Sequence, residues 1–212
     1  NPRMRDEVET LSESRLDVGV SKRSLASGQE CGDACLVKAG PSSTLLAVAD
    51  GIGHGPEAAA AAQTAIDVLS RHATAPLEWL MDRCHLAVRE LRGLTMGIAR
   101  IVTGESSITW LGVGNVQGVL LHAAGGTAET RESLRVGSGL VGYRLTPLQP
   151  VTRPFRRGDL LLMATDGLTR DFGEIAITPS SAQEIADRVM ERYRTGQDDA
   201  LVLATWRLRD RS

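Results

Sequence analysis

The 212 residues carry a formal net charge of −2, with 42% hydrophobic and 24% charged side chains. That is an ordinary globular balance; it offers no basic face for nucleic acid, and no apolar stretch approaches the roughly 20 residues that cross a bilayer. The length suits one substantial core rather than two, so residues 1–212 are expected to form a single domain with its core at about 15–208.

In chain order, Leu16, Val18 and Val20 alternate with Asp17, Gly19 and Ser21, the pattern of a half-buried strand. Cys35–Ala39 and the apolar run Thr44–Ala49 flank a Gly-Pro-Ser-Ser turn at 40–43 and are expected to pair as a hairpin. The second of these runs ends in Asp50-Gly51. A tight loop, Ile52-Gly53-His54-Gly55, comes next, and Pro56 then suits the first turn of a helix. The alanine-rich run from Pro56 to about His72 is that helix. A second helix is predicted from near Pro76 to Leu91, because Leu77, Leu80, Met81, Cys84, Val88 and Leu91 fall on one face.

Short strands are expected at 97–102, 107–113, 118–122 and 159–165, the last running into Asp166-Gly167. Ser181-Ala182-Gln183-Glu184 has the capping-box pattern and opens a last helix that ends near Gly196. A final strand at 200–207 follows Asp198-Asp199. Strands in adjacent groups around two middle helices do not give the alternation of a parallel sheet. Antiparallel sheets with helices stacked outside, an α+β architecture, fit better. Cys31, Cys35 and Cys84 are an odd count with no framework spacing, which predicts a reducing compartment, the cytoplasm. They read as small buried apolar residues.

Asp-Gly is among the commonest turn dipeptides, so either copy alone is more simply a turn than a ligand. The recurrence in one context changes that. Asp50, Asp166 and the Asp198-Asp199 pair each stand at the end of a strand-like run, far apart in sequence. Brought together, they form what a hard cation needs.

Five motifs stand in order: Gly32-Asp33-Ala34, Ala49-Asp50-Gly51-Ile52-Gly53-His54-Gly55, Gly112-Val113-Gly114-Asn115-Val116, Thr165-Asp166-Gly167-Leu168, and Gln197-Asp198-Asp199 with the apolar run behind it. Together they resemble the metal-dependent serine/threonine phosphatases of the PPM (type-2C) superfamily, in the bacterial branch shared with SpoIIE and RsbU. The loop that continues through Pro56-Glu57-Ala58-Ala59, with no added sensor domain, is most similar to the stand-alone stressosome phosphatases of that branch. The resemblance spans roughly residues 30–207.

It implies two antiparallel β-sheets stacked as a sandwich, with helices on both outer faces. It implies two divalent cations, Mn²⁺ or Mg²⁺. Asp50 takes the place of the carboxylate that bridges them, and the Gly51 carbonyl that of an added ligand. Asp166 and Asp198 match further metal ligands, Asp199, also a candidate metal residue, stands where asparagine is common, and Asp33 matches an aspartate that reaches the metals through water. Asp33 and Asp199 are the candidates for a third metal position. The implied substrates are phosphorylated STAS-domain proteins of the stressosome, in a pathway the enzyme restrains. Neither nucleic acid nor membrane is an expected partner, and a monomer is the expected state. The loop 51–55 and the segment 137–158 are expected to shape an open protein-docking surface.

The chemistry of the residues agrees. All-oxygen coordination suits Mg²⁺ or Mn²⁺ rather than zinc or copper. Four aspartates packed without a cation repel one another and raise each other's pKa values. Two divalent cations offset that and activate water for in-line attack on phosphorus. No Cys-x5-Arg loop is present to supply a covalent intermediate, so direct hydrolysis of a phosphomonoester is the expected reaction.

There are departures. The family's phosphate-binding arginine, five residues before Asp33, is here Gly28; Lys22 or Arg23 stands in for it, or each is simply a solvated cation. His54 is either the general acid for the leaving alkoxide or a loop histidine that tunes access. His72, His85 and His122 read as surface or packing residues. Two rival functions remain, a silent phosphatase-fold adaptor and a two-metal phosphodiesterase. The presence of every expected aspartate weighs against the first, and only 3% aromatic residues against a nucleic-acid diesterase.

Overall fold

The structure is a computed structural model that describes residues 15–102, 104–124, 127–175 and 181–208. The hairpin around 40–43 forms as expected, from β2 (Asp33–Ala39) and β3 (Ser43–Gly51), with Ala39 opposite Thr44 and Asp33 opposite Asp50. β4 (Leu94–Val102) lies on the other side of β3, followed by β5 (Ser107–Val113) and the edge strand β10 (Val151–Pro154). The other sheet runs β1-β12-β11-β6-β7: β1 is Leu16–Arg23, β12 Ala200–Arg207, β11 Leu160–Ala164, β6 Gln117–Ala124 and β7 Thr127–Ser133. Every pairing in both five-stranded sheets is antiparallel, and β8 (Gly139–Leu140) with β9 (Arg144–Leu145) makes a small separate ribbon.

Strand parity sorts the core into three layers. Leu46 and Val48 of β3, Trp110 of β5, Leu161 and Met163 of β11, and Leu201 and Leu203 of β12 meet between the sheets. The alternate residues Leu45, Ala47 and Ala49 face α1 (Pro56–Arg71) and α2 (Leu77–Ala87). Leu160, Leu162, Ala164, Val202 and Ala204 face α3 (Ala182–Tyr193). The result is the sandwich with helices on both outer faces. Each sheet is apolar on both sides, which is why β3, β11 and β12 read as unbroken apolar runs.

α1 buries Ala58, Ala61, Ala62 and Ala65, and the small side chains let its axis lie close to β2 and β3. α3 opens on the full capping box: the Ser181 side chain accepts from Glu184 N–H while the Glu184 side chain accepts from Ser181 N–H. Asp17 of β1 accepts a further N–H, from Ala182, at 2.7 Å.

Some boundaries differ from expectation. α2 stops at Ala87, with Val88 as its cap, instead of running to Leu91. The chain has to turn there, because Gly93 O accepts from Ile52 N–H and β4 begins at Leu94. α3 stops at Tyr193 because Thr195 N–H goes to Gly167 O instead of continuing the helix. Strands β7 to β10 carry no apolar alternation strong enough to announce them. β7 and β10 are edge strands, where polar residues and a proline are tolerated. Of the cysteines, Cys84 is buried as expected, whereas Cys31 and Cys35 are half-buried, and all three are free thiols.

Candidate active site

The parity that sends Leu46 and Val48 between the sheets sends Asp50, two residues further, to the same layer at its open end. Asp33 is its cross-strand partner on β2, and Thr95 of β4 faces it from the other side. Like charges directly opposite each other in a sheet are unfavourable. The opposing sheet contributes Asp166, just past the end of β11, and Asp198, just before β12. The cluster thus draws on both sheets.

Glycine follows aspartate in both motifs because the backbone comes too close for a side chain. A Cβ at Gly51 would lie 2.2 Å from Ala58 O at the start of α1, and one at Gly167 would lie 2.0 Å from Asp199 O. The two dipeptides are therefore packing junctions rather than hairpin turns.

The electrostatics follow from the crowding. The Asp50 carboxyl is pushed up to about 8, first by burial and then by Asp33, Asp166 and Asp198, with a hydrogen bond from Thr95 working the other way. Asp33, 2% exposed, is raised to about 7 by burial and by Asp199 and Asp166, against a hydrogen bond from Thr165 and the Lys22 charge. Asp166 is raised as well, by burial and by Asp198. Thr165 ties the sheets together here: its hydroxyl donates to Asp33 Oδ2 at 2.8 Å and accepts from Leu201 N–H at 2.9 Å.

Asp199 sits differently. It is 3% exposed, and its two oxygens accept backbone N–H bonds from Leu25 at 2.6 Å and Gly32 at 2.5 Å. It anchors the loop that leads into Asp33. Lys22 reaches the cluster, donating from Nζ to Asp33 O at 2.5 Å, whereas the Arg23 guanidinium turns back to Lys22 O. His54 is exposed on the loop between Gly53 and Gly55. That loop is held from outside, by Ile52 N–H donating to Gly93 O at 2.9 Å and by an Arg92–Glu57 ion pair at 2.5 Å.

Among the described residues, no three histidine, cysteine, aspartate or glutamate side chains close on a single point tightly enough to hold an ion by themselves. A cluster in which Asp33 and Asp50 are pushed up to about 7 and about 8 is nonetheless a donor set that hard divalent cations would relieve, so the residues fit such ions. Sequence reasoning missed Thr95 and Thr165 and gave Asn115 no role. The signal available was that Thr165 and Asn115 stand inside the motifs themselves.

The sequence profile described as Stage II sporulation protein E (SpoIIE) matches residues 40–207. The chain belongs to the SpoIIE family of type-2C serine/threonine protein phosphatases. Among its relatives is the phosphoserine phosphatase RsbX of Bacillus subtilis (strain 168), 29% identical over 172 residues, which covers 81% of this chain and 84% of that protein. A solved structure from work on the bacterial stressosome as a modular system adapted to control secondary messenger signaling superposes with a TM-score of 0.81 at 30% identity. It covers 90% of this chain and 98% of the other. RsbX in complex with magnesium superposes at 0.78 with 24% identity, over 90% and 94% of the two chains, a likeness of fold. The SpoIIE-family assignment accounts for the αββα sandwich.

Proposed function

We propose that this SpoIIE-family chain hydrolyses phosphoserine or phosphothreonine on a STAS-domain protein of a stressosome, and that it does so in the cytoplasm to restrain a stress-signalling pathway. The observation that carries the reading is the convergence of Asp33, Asp50, Asp166 and Asp198 from both sheets, on a chain 29% identical to a phosphoserine phosphatase. The likeness to a structure from stressosome work supports the substrate class.

Asp50, Asp166 and Asp198, with the Gly51 carbonyl, are the groups that would hold two divalent cations, Mg²⁺ or Mn²⁺, and Asp33 would act on them through water. When bound, the cations supply an activated water and neutralise the phosphoryl oxygens. Asp199, with both oxygens already engaged, holds the Leu25–Gly32 loop that leads into Asp33. Lys22, whose Nζ donates to Asp33 O, would receive a phosphoryl group in place of the family arginine, a reading its reach toward the cluster supports over Arg23. His54, exposed on the loop, has the freedom to reach a leaving alkoxide.

The surroundings suit a protein substrate. A groove of about 510 Å³ runs beside the loop between Pro56, Glu57, Ala60, Glu90, Leu91 and Arg92. Leu91, which lines it, is 43% exposed, and Ile52 on the loop is 42% exposed. Among the described residues no helix is long and apolar enough to cross a membrane.

The test is Mn²⁺-dependent release of phosphate from a serine-phosphorylated STAS protein, by the native chain and by Asp50→Asn. Turnover that needs metal and disappears in the variant is the expected result. No release from either, with folding confirmed, would overturn the reading.

A further inference from the structure

Asp50 and Asp166 belong to different sheets, so something has to fix one relative to the other. The chain passes from the first sheet to the second through residues 114–116, between β5 and β6. Asn115 lies in that crossing. Its Nδ2 donates to Asp166 Oδ2 at 2.7 Å, and its Oδ1 accepts from Thr95 Oγ1 at 2.5 Å. Thr95, 5% exposed, is the cross-strand neighbour of Asp50, and the same hydroxyl can turn its proton to the Asp50 carboxyl instead. The path Asp50–Thr95–Asn115–Asp166 therefore runs through one hydroxyl, whose single proton serves one neighbour at a time.

We propose that Thr95 and Asn115 are positioning residues that set the Asp50 carboxylate of one sheet against the Asp166 carboxylate of the other.

The residue types fit that task. A carboxamide presents a donor and an acceptor together, so it can give to an aspartate while taking from a hydroxyl. An aspartate at 115 could not donate to Asp166 and would add another negative charge to a crowded site. A hydroxyl at 95 turns its one proton toward either neighbour, and a methyl in its place would break the path without changing the volume. Outer partners of this kind orient the groups that ligate a cation.

The inference rests on the phosphatase reading, and its test separates the two. Native protein, Thr95→Val, Thr95→Ser and Asn115→Ala are compared for Mn²⁺ affinity by titration calorimetry, for kcat and KM on a serine-phosphorylated STAS protein, and for melting in EDTA. In Thr95→Val and Asn115→Ala the Mn²⁺ Kd is expected to weaken by about 10–100-fold, with kcat reduced and substrate KM unchanged. Thr95→Ser keeps the hydroxyl and is expected to recover native Mn²⁺ affinity. The Thr95→Val/Asn115→Ala double variant is expected to bind Mn²⁺ no more weakly than the poorer single variant, since one path cannot be broken twice. Native Mn²⁺ affinity in Thr95→Val and Asn115→Ala, with only melting lowered, would overturn the inference in favour of a purely structural pair. A native chain that neither binds Mn²⁺ nor releases phosphate would overturn the phosphatase reading first, and the inference with it.

Discussion

Asp50 shows how far a side chain can be pushed from its ordinary chemistry by the place the fold gives it. It sits where the inter-sheet layer opens, opposite Asp33 and facing Asp166 and Asp198, and its carboxyl is raised to about 8. Asp33 rises to about 7. A carboxyl whose pKa is higher in the fold than in the unfolded chain gives stability that is present below the unfolded value, about 3.8, and lost as pH rises through the folded one. Metal-free protein should therefore melt at progressively lower temperature from about pH 4 to about pH 8. Asparagine at position 50 stays neutral throughout. In EDTA at pH 8, Asp50→Asn should melt above the native chain while having no phosphatase activity, the trade of stability against function expected at an active site. Calorimetric melting of both proteins at pH 5 and pH 8 checks this, and equal melting at pH 8 would remove the repulsion argument. The four clustered aspartates were legible in the sequence because each stands in a motif. The threonines that bond them were not, because a buried hydroxyl has no pattern of its own until the register places it.

The elements that announced themselves are those whose burial is simple. β3, β11 and β12 are apolar on both faces and read as runs, and the sequence-based bounds for β5 and β12 are those observed. α1 was legible from its alanines and from Pro56 at its start. Where tertiary hydrogen bonds decide, periodicity failed: α2 ends four residues early so that Gly93 can meet Ile52. The polar edge strand β7 was invisible for a related reason. Only one of its sides pairs, so it needs neither an apolar run nor strict alternation. α3 shows local and tertiary signals in agreement, with Ser181 and Glu184 closing the box and Asp17 holding Ala182 N–H from β1. Ser181→Ala should cost about 1 kcal/mol, the usual worth of such a cap. Denaturant unfolding reads that directly, and because Ser181 caps the end of α3 opposite to the one whose exit bonds Gly167 beside Asp166, kcat should stay at the native value. A fall in kcat larger than the fall in stability would mean that α3 communicates with the site.

At the scale of the whole molecule, the layered arrangement puts the carboxylate cluster at the open end of the inter-sheet layer, with members from both sheets. Thr165 bonds across that gap, and Trp110 fills the layer behind it, while the carboxylates, once ionised, repel one another across it. Cations bound there would link Asp50 of one sheet to Asp166 and Asp198 of the other, so their effect should be felt by the entire sandwich and not by a loop. A ligand that binds only the folded state at a hundred times its Kd stabilises by about 2.7 kcal/mol. For a domain of this size that is a rise in melting temperature of roughly 5–10 °C. The rise should appear with Mn²⁺ or Mg²⁺ as one sharper transition, and it should be lost in Asp50→Asn and in Asp166→Asn alike, although the two residues belong to opposite sheets. The common loss is the discriminating feature. If Asp166→Asn kept the full Mn²⁺ gain while Asp50→Asn lost it, the ions would belong to one sheet alone, and the bridging of the sandwich by its own active site would have to be abandoned.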